Sequence, residues 1–484
     1  MAVAACDGGT DAAPDGGPGL GGDGCDDAVA LDSVDLSGIW HLDLAFEYGS
    51  YPAPLRFDAA GESYSAVMIG RDADSVTVTS TDVIVREEWM AGEDARSRVL
   101  DACRVDSDGS LFGHYLSCTN DECVAATFHA YPIRPLDEPV ADNVALLGSI
   151  AWADEHITAN VRVNAGIAYV ARFGDGLRIV DVGDPAAPVE LGHSPVAGDD
   201  EIYNDVKIVE AAGKTYALMA SNRRGAVTVD VTSPANPSEV TTFPLPDGGG
   251  DSVNVHTLFV DGTRAYLANT SIAGLDIYDV ANPASPQPLG RYILPTVEQR
   301  GGYIHDLYVE GGRAYLNYWS DGLIVIDTFD NPAAPAFYGA FESYPRRTSH
   351  SNWVTVAGGR AVSVHGDEDF GAHVRIIDVE QGSGDFMAQI GSYATRPEVS
   401  VHNIMAIGEI GLITYYQDGL RVLDLSDPTA PAEVGHYQSW GGVAENNGRS
   451  FYEGAIGVDY DNATGRVYLA DTHEGLLILA LELP

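Results

Sequence analysis

GLRIVDVGDPAAPVELG, residues 176–192, reads as a strand, a turn and the start of a second strand: an apolar, β-branched run, then Asp184-Pro185 to break it, then Val189-Glu190-Leu191. The same phrase returns along the chain. With Asp181 as anchor, the equivalent positions are Asp230, Asp279, Asp327, Asp378, Asp424 and, by position, Ala480, in steps of 49, 49, 48, 51, 46 and 56 residues. Five residues before each anchor stands Gly176, Gly225, Gly274, Gly322, Gly419 or Gly475, while the fifth unit departs with His373 after an insertion. A glycine there supplies the positive φ of a tight hairpin, and Asp-Gly at 175, 321 and 418 strengthens that signal.

Before each turn lies a strand such as AYVA, AYLAN or VYLA, and after it one such as LRIVDV, LDIYDV or LLILAL. These central pairs are apolar enough to be covered on both faces. DPAAP, SPANP, NPASP, NPAAP and DPTAP follow the anchors, each closing a turn with a short acceptor side chain and the fixed φ of proline; the fifth unit lacks it. A last short strand ends in VELG, QPLG, FYGA or AEVG. Four strands per repeat, without a helix, at this period predict propeller blades, with an open solenoid as the competing geometry. The seventh unit stops after its third strand, whereas VALLGSI, Val144–Ile150, matches the outer-strand phrase yet precedes the first unit. That segment can complete the last blade and close a ring of seven.

GLRIVDVGDPAAP, GLDIYDVANPASP and GLRVLDLSDPTAP resemble the LVIVD-repeat family of bacterial and archaeal surface proteins, over about residues 140–484. GAIGVDYDNATGRVYLADTHEGLLIL is similar to that family's closing blade, and His305-Asp306 and His402-Asn403 are similar to steps in the related choice-of-anchor proteins. The resemblance implies a secreted or surface-anchored propeller and supplies no chemistry.

Ahead of the repeats, residues 35–131 carry IWHLDLAF, YSAVMIG, SVTVTS, TDVIVREEW and SLFGHYLSC, short alternating strands separated by Gly, Asp and Ser. They predict a small antiparallel β barrel or sandwich. PIRPLDEP, within a linker at 132–139, forms a stiff boundary. Residues 1–34 read as a signal remnant and a Gly/Asp-rich tether, and Val3-Ala4-Ala5-Cys6 resembles a bacterial lipobox, which predicts lipidation of Cys6. Cys25, Cys103, Cys118 and Cys123 are then an even number suited to disulfides in an oxidising compartment, with the pairing left open. The expected place is the cell envelope, as an outer-membrane or cell-surface lipoprotein, or secretion.

The charge balance of 26 basic against 71 acidic residues, a net −45, opposes phosphate backbones and anionic headgroups. No nucleic-acid partner is expected, and membrane contact only through a lipid anchor. Lys207 and Lys214 are the only lysines, which leaves little for Schiff-base chemistry. No GxSxG elbow is present, and the glycine-rich GDGGPGLGG sits in the tether without a strand before it or a helix after it.

The first strand of each blade surrounds a propeller's axis, so its opening residues converge on one end of the channel. Here those openings are polar: Asn204-Asp205, His256-Thr257, His305-Asp306, His350-Ser351-Asn352, His402-Asn403, together with His156 and Glu453. By alternation His305 shares a face with Leu307 and Asp306 with Tyr308, so one of each pair faces the channel. Three roles fit these side chains. They can tie adjacent blades by hydrogen bonds; Asp205, His256, His305, Asp306, His350, His402 and Asn403 can line a seat for a small polar ligand; or His256, His305, His350 and His402 can ligate a divalent transition metal. In the fifth-unit insertion HGDEDFGAH, Asp367, Glu368 and Asp369 are candidate calcium ligands without EF-hand spacing. With no catalytic constellation legible, the sequence reads as a noncatalytic scaffold for a protein or small polar ligand; the alternative is a metal-dependent enzyme with its histidines at the channel mouth.

Overall fold

The structure, a computed structural model, describes residue 25 and residues 30–483 apart from 48, 62, 155, 199–200, 245–252, 296–301, 343, 346, 370 and 443–452. The tether and Cys6 lie outside the described residues. The chain forms two compact units, Met1–Pro132 and Ile133–Pro484, and among the described residues no helix is long and apolar enough to cross a membrane.

The first unit is one antiparallel sheet. Its strands are β1 (Gly38–Phe46), β2 (Gly49–Ala60), β3 (Ser63–Met68), β4 (Arg71–Asp72), β5 (Ser75–Val78), β6 (Val83–Ala91), β7 (Asp94–Val105), β8 (Leu111–Thr119) and β9 (Glu122–Pro132), in the order β4-β3-β2-β1-β9-β8-β7-β6-β5. Each strand pairs with its sequence neighbour except at β4/β5, and β1 joins β9 across the fold. One face encloses an apolar cluster with Trp40, Leu55, Phe57, Leu100 and Phe128 at its centre. The structure supplies the cysteine pairing: Cys25–Cys103, and Cys118–Cys123 directly opposite one another across the β8/β9 hairpin. The latter is a local clip, whereas the former closes a long loop.

The second unit is a ring of seven sheets, and six of them are built from consecutive strands at residues 158–195, 203–242, 255–293, 306–341, 349–393 and 404–437. The seventh takes Ala455–Asp461, Arg466–Asp471 and Gly475–Leu481, and Val144–Ile150 pairs as its outer strand with Gly475–Leu481. A two-residue strand, Ala141–Asp142, also joins the outer edge of the sixth blade. Residues 141–150 therefore bind the ends of the ring together through two blades. Apolar clusters form between neighbouring sheets; Tyr169, Ile179, Met219 and Val229, for example, pack blade 1 on blade 2.

The repeated phrase has a mechanical explanation. Each third strand ends in the anchor aspartate, whose Oδ1 accepts from the backbone N–H two residues on, at 2.8–3.0 Å in all six blades that have it. The Asx-Pro turn that follows reaches the previous blade's outer strand. That strand carries a bulge in every blade, which leaves Leu147, Leu191, Val240, Leu289, Tyr338, Ile390 and Val434 without a ladder partner. In six of the seven the next residue is glycine, the exception being Thr241 in blade 2.

A Cβ on Gly192 would stand 2.2 Å from the carbonyl oxygen of Pro234, on Gly290 1.8 Å from that of Pro332, and on Gly391 2.2 Å from that of Pro428. Gly148 makes the same approach, at 2.2 Å, to Pro185 of blade 1, so the ring is closed by the contact that joins its interior blades. Between blades 2 and 3, where Thr241 replaces the glycine, the hydroxyl of Thr228 donates to the Pro283 carbonyl at 2.9 Å. The glycines five residues before the anchors adopt positive φ at 176, 225, 322, 419 and 475; in blade 3 the left-handed residue is Ala273, next to Gly274.

Gly148→Ala and Gly290→Ala are each expected to lower unfolding free energy by about 1–3 kcal/mol, as overpacking against backbone does. Thr241→Val, which already has a Cβ, is expected to change it by less than about 0.5 kcal/mol. Denaturant titrations followed by tryptophan fluorescence check this, and an unchanged midpoint for Gly148→Ala contradicts the closure contact.

Candidate functional site

The inner strands begin around the axis, where a cavity of about 240 Å³ takes lining residues from all seven blades. Alternation fails there. Both His305 and Asp306 line the cavity, as do both His256 and Thr257, and both Asn204 and Asp205. In five blades the reason is local: the inner strand shifts register at its opening, between Thr158 and Asn160, Tyr203 and Asp205, Val255 and Leu258, Ser349 and Ser351, and Ala455 and Gly457, whereas in blade 4 the ladder begins only at Asp306 and His305 precedes it. A bulge turns successive side chains to one side.

At one pole His256, His305, His350 and His402 follow one another, with ring centroids 4.1, 4.1 and 4.4 Å apart. Trp319 stacks on His305 at 5.0 Å and Tyr416 lies 4.9 Å from His402. Both aromatic residues hold positive φ, 22° and 39°, a backbone cost that functional sites accumulate. Glu368 enters from the fifth-blade insertion. It accepts from the Tyr416 hydroxyl, and its two oxygens lie 3.8 Å from His350 Nε2 and 3.9 Å from His402 Nε2.

At the other pole Lys207 Nζ bonds both oxygens of Asp205 at 2.5 and 2.7 Å, and Arg162 donates to Asn160 and to the carbonyls of Val161 and Val458. Burial lowers the Lys207 ammonium, and burial together with the Asp205 charge lifts the Asp306 carboxyl to about 6.

The polar openings divide into two populations. One ties blades together: Asp205 accepts from Asn160 Nδ2 of blade 1 at 2.8 Å and from Leu258 N of blade 3 at 3.2 Å, Asn204 Nδ2 donates to His256 Nδ1 at 3.0 Å, and His402 Nδ1 donates to the Ile456 carbonyl at 2.6 Å. Asn403 lines the cavity and anchors through its backbone N–H on Thr414 Oγ1 at 2.8 Å. The other population has no such partner: neither ring nitrogen of His350, 1% exposed, makes a hydrogen bond, nor does Nδ1 of His305. Burial, reinforced by the neighbouring imidazoles, keeps both rings well below the usual histidine range, and burial lowers His256 to about 4 and His402 to about 3. All four stand neutral, the protonation state that ligates metals.

Three groups of side chains place metal-ligating atoms within 4.8 Å of one another among the described residues. In Cys25, Cys103 and His114 the sulfurs are consumed by a disulfide. In Glu138, Glu433 and His436 the guanidinium of Arg421 already pairs with both carboxylates, at 2.6 and 3.2 Å. His305, His350 and Glu368 are the third. The sequence placed His256 and His402 beside His305 and His350 in one set; the fold brings in Glu368 instead and gives a ring nitrogen of each flanking histidine to a neighbour.

The insertion does not gather its acids for calcium. Asp367 is engaged by Arg375, by Tyr344 Oη at 2.9 Å and by Thr348 N at 3.0 Å, while Glu368 turns into the cavity. His156 is exposed and outside the cavity lining. The fold also assembles a trio that no sequence motif marked: Ser349 Oγ lies 2.9 Å from His365 Nε2, and His365 Nδ1 is 3.8 Å from Asp367. All three are at most 1% exposed and none lines the cavity, so no substrate reaches the hydroxyl.

The two populations should behave oppositely on substitution. Asp205→Ala leaves the largely buried Lys207 ammonium without its carboxylate and is expected to cost about 3–5 kcal/mol. His350→Leu exchanges two unbonded polar atoms for an apolar side chain and is expected to leave stability unchanged or raise it by about 1 kcal/mol. Thermal and chemical unfolding of the two variants tests this; a His350→Leu loss as large as that of Asp205→Ala makes His350 structural.

With this geometry in place, comparison with known proteins is informative about the repeat alone. A family model described as the LVIVD repeat matches residues 157–194, 251–293, 301–343 and 402–439, which fall on blades 1, 3, 4 and 6. Among solved structures, the WD40 beta propeller domain of Doa1 is similar over 69% of this chain and 96% of that one, at 9% identity and a TM-score of 0.48. No curated protein matches. The chain is a seven-bladed β-propeller carrying LVIVD repeats.

Proposed function

We propose that this chain is a noncatalytic binding protein of the cell envelope whose ligand seat is the cavity on the propeller axis. The observation that carries the reading is the unpartnered, buried His350 facing a cavity to which every blade contributes. Buried polar atoms in folded proteins have partners, and a ligand is the natural one where the atoms line open space. At about 240 Å³ the space is smaller than the roughly 300–1,000 Å³ of sites for drug-sized molecules, so the ligand is a small polar molecule or an ion. Side-chain donors and acceptors line the same space as the apolar Phe259, Leu307 and Trp353, which suits a ligand with both polar and apolar parts. Binding without turnover is favoured because the Ser349–His365 pair is buried and does not line the cavity.

The envelope location is supported by the two disulfides, which persist in oxidising compartments. A lipid on Cys6 is part of the same proposal, and an unmodified Cys6 in the mature native protein, read by intact-mass analysis, removes it.

Native mass spectrometry of untagged protein from its own host tests the seat. Wild type is expected to retain a noncovalent mass that leaves on denaturation, and Asn403→Trp, which fills the cavity, to lose it. Equal retention by Asn403→Trp overturns the reading, as does a wild type that retains nothing.

A further inference from the structure

We propose that His305, His350 and Glu368 bind one divalent transition-metal ion, of the zinc, iron(II) or cobalt(II) class, at the histidine pole of the cavity. This rests on the reading of that cavity as a ligand seat and names the ligand.

The first support is geometric. The ligating atoms of the three residues lie within 4.8 Å of one another, and the residues come from blades 4 and 5, which the closed ring holds side by side. The second is the accounting of polar atoms. A neutral imidazole carries one N–H and one lone pair, and neither nitrogen of His350 has a hydrogen-bond partner. Each buried polar atom left unmade costs about 1–3 kcal/mol. The cost falls on the residue nearest the middle of the histidine row, flanked by His305 and His402, and not on those at its periphery. A cation on one ring nitrogen engages the lone pair.

The neighbouring hydrogen bonds also set which nitrogens can ligate. The Ile456 carbonyl accepts from His402 Nδ1, so that nitrogen carries the proton and Nε2 presents a lone pair toward Glu368. His256 is the reverse: Asn204 Nδ2 donates to its Nδ1, which puts the proton on Nε2. His256 is therefore a hydrogen-bond donor at the edge of the site, suited to an oxygen atom of a second ligand on the ion. His402 stands beside the three ligands, its ring centroid 4.4 Å from that of His350 and its Nε2 3.9 Å from Glu368. Two imidazoles and a carboxylate form a borderline donor set that favours transition ions over magnesium or calcium, and three protein ligands leave coordination positions open. The Tyr416 hydroxyl on Glu368 holds the carboxylate in place, as outer-sphere donors do in metal sites.

The test uses the full chain, untagged and stripped with a chelator, with cobalt(II) and zinc(II) as the probes. Wild type is expected to take up about one equivalent of either ion, with cobalt(II) giving visible ligand-field bands, and to lose at least about 100-fold in affinity in His350→Leu and in Glu368→Gln. Glu368→Gln keeps the shape of the side chain, so circular dichroism and cooperative unfolding of both variants establish that a loss is local. No stoichiometric uptake by folded wild type overturns the proposal, as does uptake undiminished in both variants. If wild type takes no metal yet retains a small-molecule mass that Asn403→Trp loses, the metal proposal fails and the ligand seat stands. If Asn403→Trp keeps that mass, the seat itself fails.

Discussion

The structure of the repeat unit depends on the approach of a glycine in one blade's outer strand to a proline carbonyl in the next blade's turn. At Gly148, Gly192, Gly290 and Gly391 the space for a Cβ is already filled by that oxygen. The contact needs three things at once: a glycine, a bulge at the residue before it, and a turn fixed by an aspartate cap and a proline. Each appears in the repeated phrase, which is why the phrase is so constant where the strand residues between are not. Neighbouring sheets then bury one another's apolar faces, which no blade could do alone. Where the fifth blade lacks the Asx-Pro turn, Gly339 of blade 4 instead meets Phe386 and Met387, so the junction is kept with different chemistry.

Closing the ring has a chemical consequence. It forces the openings of seven strands into one small volume, and in five of them a bulge points successive residues inward together. Most of those residues spend their hydrogen bonds on the adjacent blade, so much of the polar axis is structural. His305 and His350 do not, and the difference between them and Asp205 or His402 is one of partners and not of residue type or position. A ring of neutral imidazoles beside a buried carboxylate is a costly arrangement for an interior whose only task is to hold blades together.

Much was legible in the chain. The period, the turn chemistry and the unmatched outer-strand phrase at Val144–Ile150 depend on local rules of φ, capping and alternation that act within a few residues. The polar openings were legible for the same reason. The first unit was less so. Gly49–Ala60 is a full strand although Pro52 and Pro54 argue against one, and Asp94–Val105 is concealed by its charged outward face. Glu368 was read with Asp367 and Asp369 as part of an acidic loop; its place in a departure from the repeat was the available signal, but its direction was not.

The sequence by itself determined seven mutually burying β units and which residues open their inner strands, because those properties are periodic and local. Tertiary structure alone decided that Cys25 meets Cys103, that Glu368 joins His305 and His350, and that His402 and His256 satisfy neighbours while His350 satisfies none. These are distances between segments far apart in the chain, fixed only when the ring closes, and the availability of a side chain is set by what the closed ring places beside it.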